Sequence, residues 1–489
     1  MRFFQKEWLL SLTNNEPVLM GILLVAFFIK GAFFVTLFPM FTGQDEARHY
    51  NSIQYQNEPA EKNWKTTSRG ATINNDLFAQ YNFSEEILNA GTAAGIDDLR
   101  GGLYETTHFA LGTFIGPNEP AITAKEWLPY NRYTPADAVH NSLYHRFAGI
   151  IEQTFSGSDI LIRFYLIRLF SVFLGTLAIF FAFGTARTIG FNAIESFALS
   201  AIIAFQPKFA LYFASINYDV LLIPMFFLFT WAATLSLKHG LNWKNFTLLS
   251  LSVIVGLLTK GTAIVLLIAF IILIGFHLFH KIHDAKKFFL TLILFVGILI
   301  LVVVPLSTHY GLSTLFPNKG GVSKTVTELR NYLGKSLTPG HFALTSRTYW
   351  GALGWNNDLV SNNLTDVMTF IELAATVGLI LFLFRQRGAL FLPERKYIIF
   401  LLFMLVALQL GIRTADFNVF LNTHKLDLGT PGRYFLPNLA THIILVFVGL
   451  GALLGTKERF RLALSTGVLC MALFSLYLTL DVILPRFYL

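Results

Sequence analysis

The chain has 489 residues, of which 54% are hydrophobic and only 13% charged, and 50 of them are Phe. A soluble globular chain carries about 25% charge, so this composition excludes a soluble protein and indicates a polytopic membrane protein. The net charge of +8 lies in short Lys/Arg clusters between apolar runs, which is a topology signal rather than a nucleic-acid surface. Cys470, the one cysteine, sits inside the last apolar run, so no intrachain disulfide forms.

Crossing a hydrocarbon core of about 30 Å takes about 20 apolar residues. Eleven spans are expected, at 19–38, 162–186, 194–214, 219–237, 246–260, 262–279, 288–307, 366–384, 397–412, 434–455 and 462–484. The first run is too long for a signal-peptide core and lacks a small-residue cleavage site, so it stays as a helix. The 246–279 stretch reads either as two short helices broken at Lys260-Gly261 or as one long tilted helix with a re-entrant piece.

Placing the N-terminus in the cytoplasm gives every short inner loop basic residues. These are Arg2 and Lys6; Arg187; Lys238 and Lys244; Lys281, Lys286 and Lys287; Arg385, Arg387, Arg395 and Lys396; and Lys457, Arg459 and Arg461. That is the positive-inside distribution, and it favours two spans in 246–279, since one would invert every later loop. Three segments then face outward: a large loop at 39–159, a second at 308–365 and a short one at 413–433. The expected fold is therefore all-α, a bundle of about 11 transmembrane helices with a large first extracytoplasmic loop.

The chemistry-bearing residues gather on that outer side. Pro39 cannot continue a helix, because it lacks a backbone N–H, so the chain leaves the first span there and presents Asp45, Glu46 and His49. A helix starting near Thr42 would put Asp45 and His49, four apart, on one face. A carboxylate beside apolar surroundings can serve as a general base, and a carboxylate–imidazole set can hold a divalent cation such as Mg or Mn. The same pattern, Thr42-x-x-Asp45, also reads as a capping box opening a surface helix.

Arg433-Tyr434 stands where the short outer loop meets a helix. A planar guanidinium there suits a phosphate or pyrophosphate, or simply snorkels to fix the helix end. Lys208, Asn217 and Asp219 flank the turn between the third and fourth spans, and Lys260 the turn between the fifth and sixth. They would line a cavity for an anionic head group, or reach water from helix ends. Lys30 lies within the first span, where a lysine costs about 2.5–3.5 kcal/mol, so a partner within the bundle is expected for it.

Tyr349, Trp350, Trp355 and Asn356 could stack on a sugar ring or form an aromatic belt at the interface. His140, Tyr144 and His145 precede the second span as acceptor contacts or interfacial polar residues. No Walker loop, Rossmann glycine pattern, His-Glu-x-x-His or paired Cys-x-x-Cys occurs.

Five stretches together resemble one family. They are Gln44-Asp-Glu-x-x-His49, Ser215-Ile-Asn-Tyr-Asp219, Leu258-Thr-Lys-Gly-Thr262, Trp350-x-x-x-Gly-Trp355 and Gly432-Arg-Tyr-Phe-Leu-Pro437. The chain resembles, over about residues 19–455, the bacterial membrane proteins of "domain of unknown function 2142", within the C-type (GT-C) glycosyltransferase superfamily. The resemblance implies a location in the bacterial inner membrane. It further implies a polyprenyl-phosphate sugar donor used on the extracytoplasmic face, with a glycan, lipid or protein acceptor. The acidic residue of the first outer loop then acts at the acceptor as base or metal ligand, a role that falls on Asp45 with Glu46 adjacent. Gln44 departs from the commoner Pro-Asp-Glu-x-x-His form, which leaves the local geometry open. The expected reaction is an inverting transfer, with Arg433 and either Lys208 or Lys260 at the donor phosphate. A flippase for lipid-linked oligosaccharide and a polymerase or ligase using a lipid-pyrophosphate donor are the alternatives. Transporters tend to be built from internal repeats, and none is seen in this sequence.

Overall fold

The structure is a computed structural model that describes residues 15–57, 87, 90–91, 142–279, 322–352, 362–384, 391–424, 426 and 431–488. Among these residues the regular structure is helical throughout.

Helix α1 (Glu16–Leu37) shows why the bundle needs a bilayer. Leu23, Phe27, Gly31 and Phe34, three or four residues apart, are buried against the bundle. Ile22, Val25, Ile29 and Phe33, on the other side, are exposed. A helix apolar on every side is stable only if its outer surface meets lipid. Eight helices among the described residues are long and apolar enough to cross a membrane, or nine with one bent pair taken as a single span.

The bent pair is α5 (Ala193–Phe205) and α6 (Pro207–Phe213), which turn by 68° at Gln206. Pro207 supplies no N–H and so cannot extend the first helix. The carbonyls of Ala204 and Phe205 that this leaves open accept hydrogen bonds from Lys30 Nζ at 3.1 and 3.4 Å. The lysine within the first span thus has the partner that its position required.

Helix α4 (Ile160–Ile189) opens on Asp159, whose carboxylate accepts from the Leu161 amide at 2.7 Å, and ends at Gly190. Helix α7 (Asp219–His239) is buried along most of its length and forms the centre of the bundle against α4. Helix α8 (Trp243–Thr259) then reverses through Lys260 and a 3-10 turn (Gly261–Ala263) into α9 (Ile264–Phe279). The 246–279 stretch is therefore two helices. Helix α8 is short for a span by itself, and the expected 288–307 span lies outside the described residues, so a count of eleven is not reached.

Two helices of the 308–365 segment follow, α10 (Val322–Ser336) and α11 (Pro339–Trp350), and then α12 (Asn362–Phe384). Helix α13 (Arg395–Thr423) outruns the expected 397–412 span, so residues 413–423 are helical rather than loop. A 3-10 turn (Gly432–Asn438) leads into α14 (Leu439–Leu454), followed by α15 (Lys457–Tyr477). A π-helical segment, Leu478–Ile483, continues into α16 (Leu484–Tyr488).

Two short helices close one end of the bundle. They are α2 (Glu46–Asn57), which follows directly on α1, and α3 (Leu143–Thr154), which precedes α4. They pack on one another, and Leu143–Thr154 also packs on α4. At other chain turns Arg187 pairs with Glu16 at 2.8 Å and Arg461 with Glu195 at 3.0 Å. Two basic residues that the sequence assigned to inner loops, Arg187 and Arg461, thus meet acidic partners.

Candidate active site

The site is built around Arg168, buried on α4. Its Nε and Nη2 donate to the two carboxylate oxygens of Glu46, at 2.8 and 2.7 Å. Its remaining N–H groups donate to the carbonyls of Val35, Phe38 and Pro39, at 3.1, 2.6 and 2.9 Å. All five donors of the guanidinium are thus used. The end of α1 and the start of the Glu46 helix are clamped to the same point. Glu46 also accepts from the amides of Gly43 and Ile216, both at 2.9 Å. A side chain on Gly43 would collide with Ser215 and with Glu46 itself, so this close approach requires glycine. Nothing on Glu46 is left for a substrate.

A second buried pair stands beside the first. Arg163 donates to Glu152, which also accepts from Tyr50 at 3.0 Å and Gln54 at 3.2 Å. The two short helices are therefore fastened to α4 by two ion pairs.

Asp45 lies just outside this clamp. The helix begins at Glu46, not near Thr42, and Thr42 spends its hydroxyl on the Pro39 carbonyl at 2.8 Å. Asp45 is held at φ 56°, a left-handed conformation in which Asp is better tolerated than most residues. This turns its carboxylate away from Glu46, toward Arg48 at 3.4 Å and Arg433 at 3.7 Å. Asp45 keeps 22% of its side chain exposed and Arg433 12%, so both border open space.

Arg433 comes from the 3-10 turn at 432–438. Gly432 allows that turn to lie directly on α11, where an added Cβ would meet the backbone of Thr345 and Tyr349. The Gly432 amide donates to Thr348 Oγ1 at 2.6 Å. Beside it, Tyr434 lies between two cations, with Arg433 4.9 Å and Lys260 5.0 Å from its ring. Such placements are favourable, the more so when water is excluded.

Lys260 is neutralised in place. Its ammonium sits 2.8 and 2.9 Å from the two oxygens of Asp219, which also accepts from Tyr212 at 2.9 Å. Asn217 caps Asp219 through the backbone amide at 2.8 Å and reaches the Gln44 carbonyl at 3.4 Å, so the 215–219 turn docks on the Asp45 turn. Lys208 differs. It is buried, with neither hydrogen bond nor counter-ion among the described residues, and close enough to Arg433 for the two charges to act on each other.

His49 points elsewhere. Its Nδ1 is 3.1 Å from Nε2 of His145. The Nδ1 of His145 accepts from the Ser142 amide at 3.3 Å, so its Nε2 carries the proton and donates to His49. Tyr218 lies edge-on to His49, and burial raises its phenol above the ordinary value, opposed by Lys260. Asp45, Glu46 and His49 therefore face three different partners. They do not converge as a metal set, and no group of three acidic, His or Cys ligands occurs among the described residues.

The residues named from sequence are thus partly brought together. Asp45, Arg433, Tyr434, Lys208, Lys260, Asn217 and Asp219 share one corner, and Glu46 supports it from behind. Tyr144 is buried on Ser171 at 2.8 Å. Trp350 donates to Glu372 on α12 at 3.1 Å. Trp355, Asn356 and His140 lie outside the described residues. Sequence reasoning passed over Arg163 and Arg168, although charge within an apolar run was the signal that singled out Lys30.

Fold and site together define a polytopic, all-α membrane protein with a carboxylate set against cations at one end of the bundle. Residues 163–308 match the family model described as dolichyl-phosphate-mannose-protein mannosyltransferase, a GT-C-type family. The matched stretch is under a third of the chain and contains Arg168, Lys208, Asp219 and Lys260. It supports an integral-membrane glycosyltransferase. No curated protein and no solved structure matches the chain.

Proposed function

We propose that the chain transfers a sugar from a polyprenyl-phosphate donor to an acceptor hydroxyl on the extracytoplasmic face of a bacterial inner membrane, with inversion. The observation that carries this reading is Lys208, buried with neither hydrogen bond nor counter-ion among the described residues and close to Arg433. A lone buried charge is costly, and a phosphate between the two cations would offset it.

Asp45 accepts the proton of the acceptor hydroxyl. The acceptor oxygen then bonds to the anomeric carbon as the bond from that carbon to the phosphate oxygen breaks. The phosphate keeps the electron pair, and Arg433 and Lys208 stabilise the charge that grows on it, commonly the largest catalytic term. Lys260, tied to Asp219, and the rings of Tyr218 and Tyr434 form the wall beside it. Glu46 and Arg168 hold the Asp45 turn in place. A flippase also needs cations within the membrane, but has no use for the partly exposed carboxylate 3.7 Å from one of them.

The test is a transfer assay in proteoliposomes with a panel of radiolabelled polyprenyl-phosphate sugars. Label passing from one donor to an acceptor supports the reading. If no donor is consumed, transfer from this class of lipid is refuted.

A further inference from the structure

A second polar constellation lies on the opposite side of the same 3-10 turn. Residues three apart in a 3-10 helix share a face. Arg433 and Tyr434 serve the Asp45 corner, whereas Phe435 and Asn438 line a separate cavity of about 210 Å³ bounded by α11, α12, α13 and α14. Its walls carry Phe342, Trp350 and Phe435, and its polar groups include Glu372, Gln409 and Asn438.

The polar groups are arranged as acceptors. Tyr349 and His442 are bonded at 2.8 Å, and His442 lies 3.5 Å from the Glu372 carboxylate. Burial holds the Tyr349 phenol well above its ordinary value, and the charge of Glu372 adds to this, so it stays protonated. Asn438 is buried, and its amide nitrogen donates to the Met404 carbonyl at 2.7 Å. Its side-chain oxygen has no partner among the described residues. An unpaired buried acceptor is costly unless something donates to it.

Among the described residues no Lys or Arg lines this cavity, and a carboxylate does. It therefore disfavours a phosphate, in contrast to the Lys208–Arg433 corner. Aromatic walls suit the C–H faces of a pyranose ring, and acceptor oxygens suit its hydroxyls. An apolar groove of about 450 Å³ shares Trp350 and Glu372 with the cavity and continues along α14 and α15. A sugar seated here can thus keep an attached alkyl chain within the helices.

We infer that this cavity binds an uncharged, hydroxyl-bearing sugar ring, with Glu372 and Asn438 accepting its hydroxyl protons and Trp350 and Phe435 covering its apolar faces. The inference rests on this cavity and not on Asp45 being catalytic, and its test needs no turnover.

The experiment is equilibrium binding of tritiated methyl pyranosides (gluco, galacto and manno) to the full chain in nanodiscs. Saturable binding of at least one is expected. A hydrogen bond to a charged or buried partner is worth about a tenfold change in affinity, so Asn438→Leu and Gln409→Leu should each weaken it about tenfold, while Gly21→Ala, whose added Cβ meets nothing within 4 Å, leaves it intact. Gln409 makes no hydrogen bond among the described residues, so its replacement removes no structural contact and decides the matter if Asn438→Leu does not fold. Competition with a polyprenyl-phosphate sugar would identify the ring as the donor's, and binding without competition as the acceptor's. Either result retains the site. Absence of saturable binding, or wild-type affinity in the folded variants, overturns it.

Discussion

The Asp45 carboxylate lies 3.7 Å from the guanidinium of Arg433, although the two residues come from opposite ends of the chain. That distance is an ion pair too long for a good hydrogen bond, and both groups border open space. Neither group is held by the other as tightly as Glu46 is held by Arg168, where the distances are 2.7 and 2.8 Å.

Lys208 gives the first prediction. Lys208→Met keeps the length and apolar character of the stem and removes the unpaired charge. The thermal midpoint in detergent should rise, because the desolvation penalty disappears. The KM for donor should rise about 10–100-fold, the worth of a hydrogen bond to a charged group. A lysine that only anchored a helix end would show neither effect.

The clamp behind the site gives the second. Arg168→Met strands Glu46 without its partner, and breaking one half of a buried pair costs about 3–5 kcal/mol. The double variant Arg168→Met with Glu46→Met should recover part of that loss. Thermal unfolding of the purified variants measures both. Equal midpoints for single variant and wild type would remove Arg168 from its supporting role.

Glycine spacing gives the third. Gly432→Ala forces a Cβ into the α11 backbone, and overpacking of this kind costs about 1–3 kcal/mol. It should displace Arg433 and reduce transfer at least tenfold. Gly261→Ala is the matched control, since nothing lies within 4 Å of its added Cβ, and should transfer normally.

Helix α10 gives a fourth, read through pH. Tyr332 donates to Asp416 at 2.8 Å. Burial, with that hydrogen bond, pushes its phenol up to about 12, against an unfolded value of about 10. A raised folded pKa means that the stabilisation is complete below about 10 and is lost as pH rises through about 12. Limited proteolysis across that window should show α10 released in wild type. Tyr332→Phe should be less protected at pH 8, and its cleavage should change less with pH.

Much of this arrangement was legible in the sequence, for a physical reason. A membrane helix needs a long apolar run, so the spans showed themselves by length, and polar residues at their ends stood out against so apolar a background. Asp45, Lys208, Asp219, Lys260 and Arg433 were each visible in that way. What one residue at a time could not reveal was which of them are already satisfied. Lys260 is matched by Asp219 and Glu46 by Arg168, whereas Lys208 has no match among the described residues, and only the fold makes that distinction. The start of the helix at Glu46 was also hidden. Thr42-x-x-Asp45 reads as a cap, yet the left-handed Asp45 and the close approach of Gly43 to Ser215 set the boundary. The 194–214 run was read as one straight span, and the 68° break at Pro207 that Lys30 covers was missed, although a proline within the run carried its signal.

The most direct measurement of the central claim is sugar transfer by Asp45→Asn set beside donor binding by the same variant. A positioned general base contributes about 10²–10⁴-fold. Transfer should fall by that factor while the polyprenyl-phosphate sugar still binds, because Arg433 and Lys208 are untouched. Transfer at the wild-type rate by a folded Asp45→Asn protein would contradict the account.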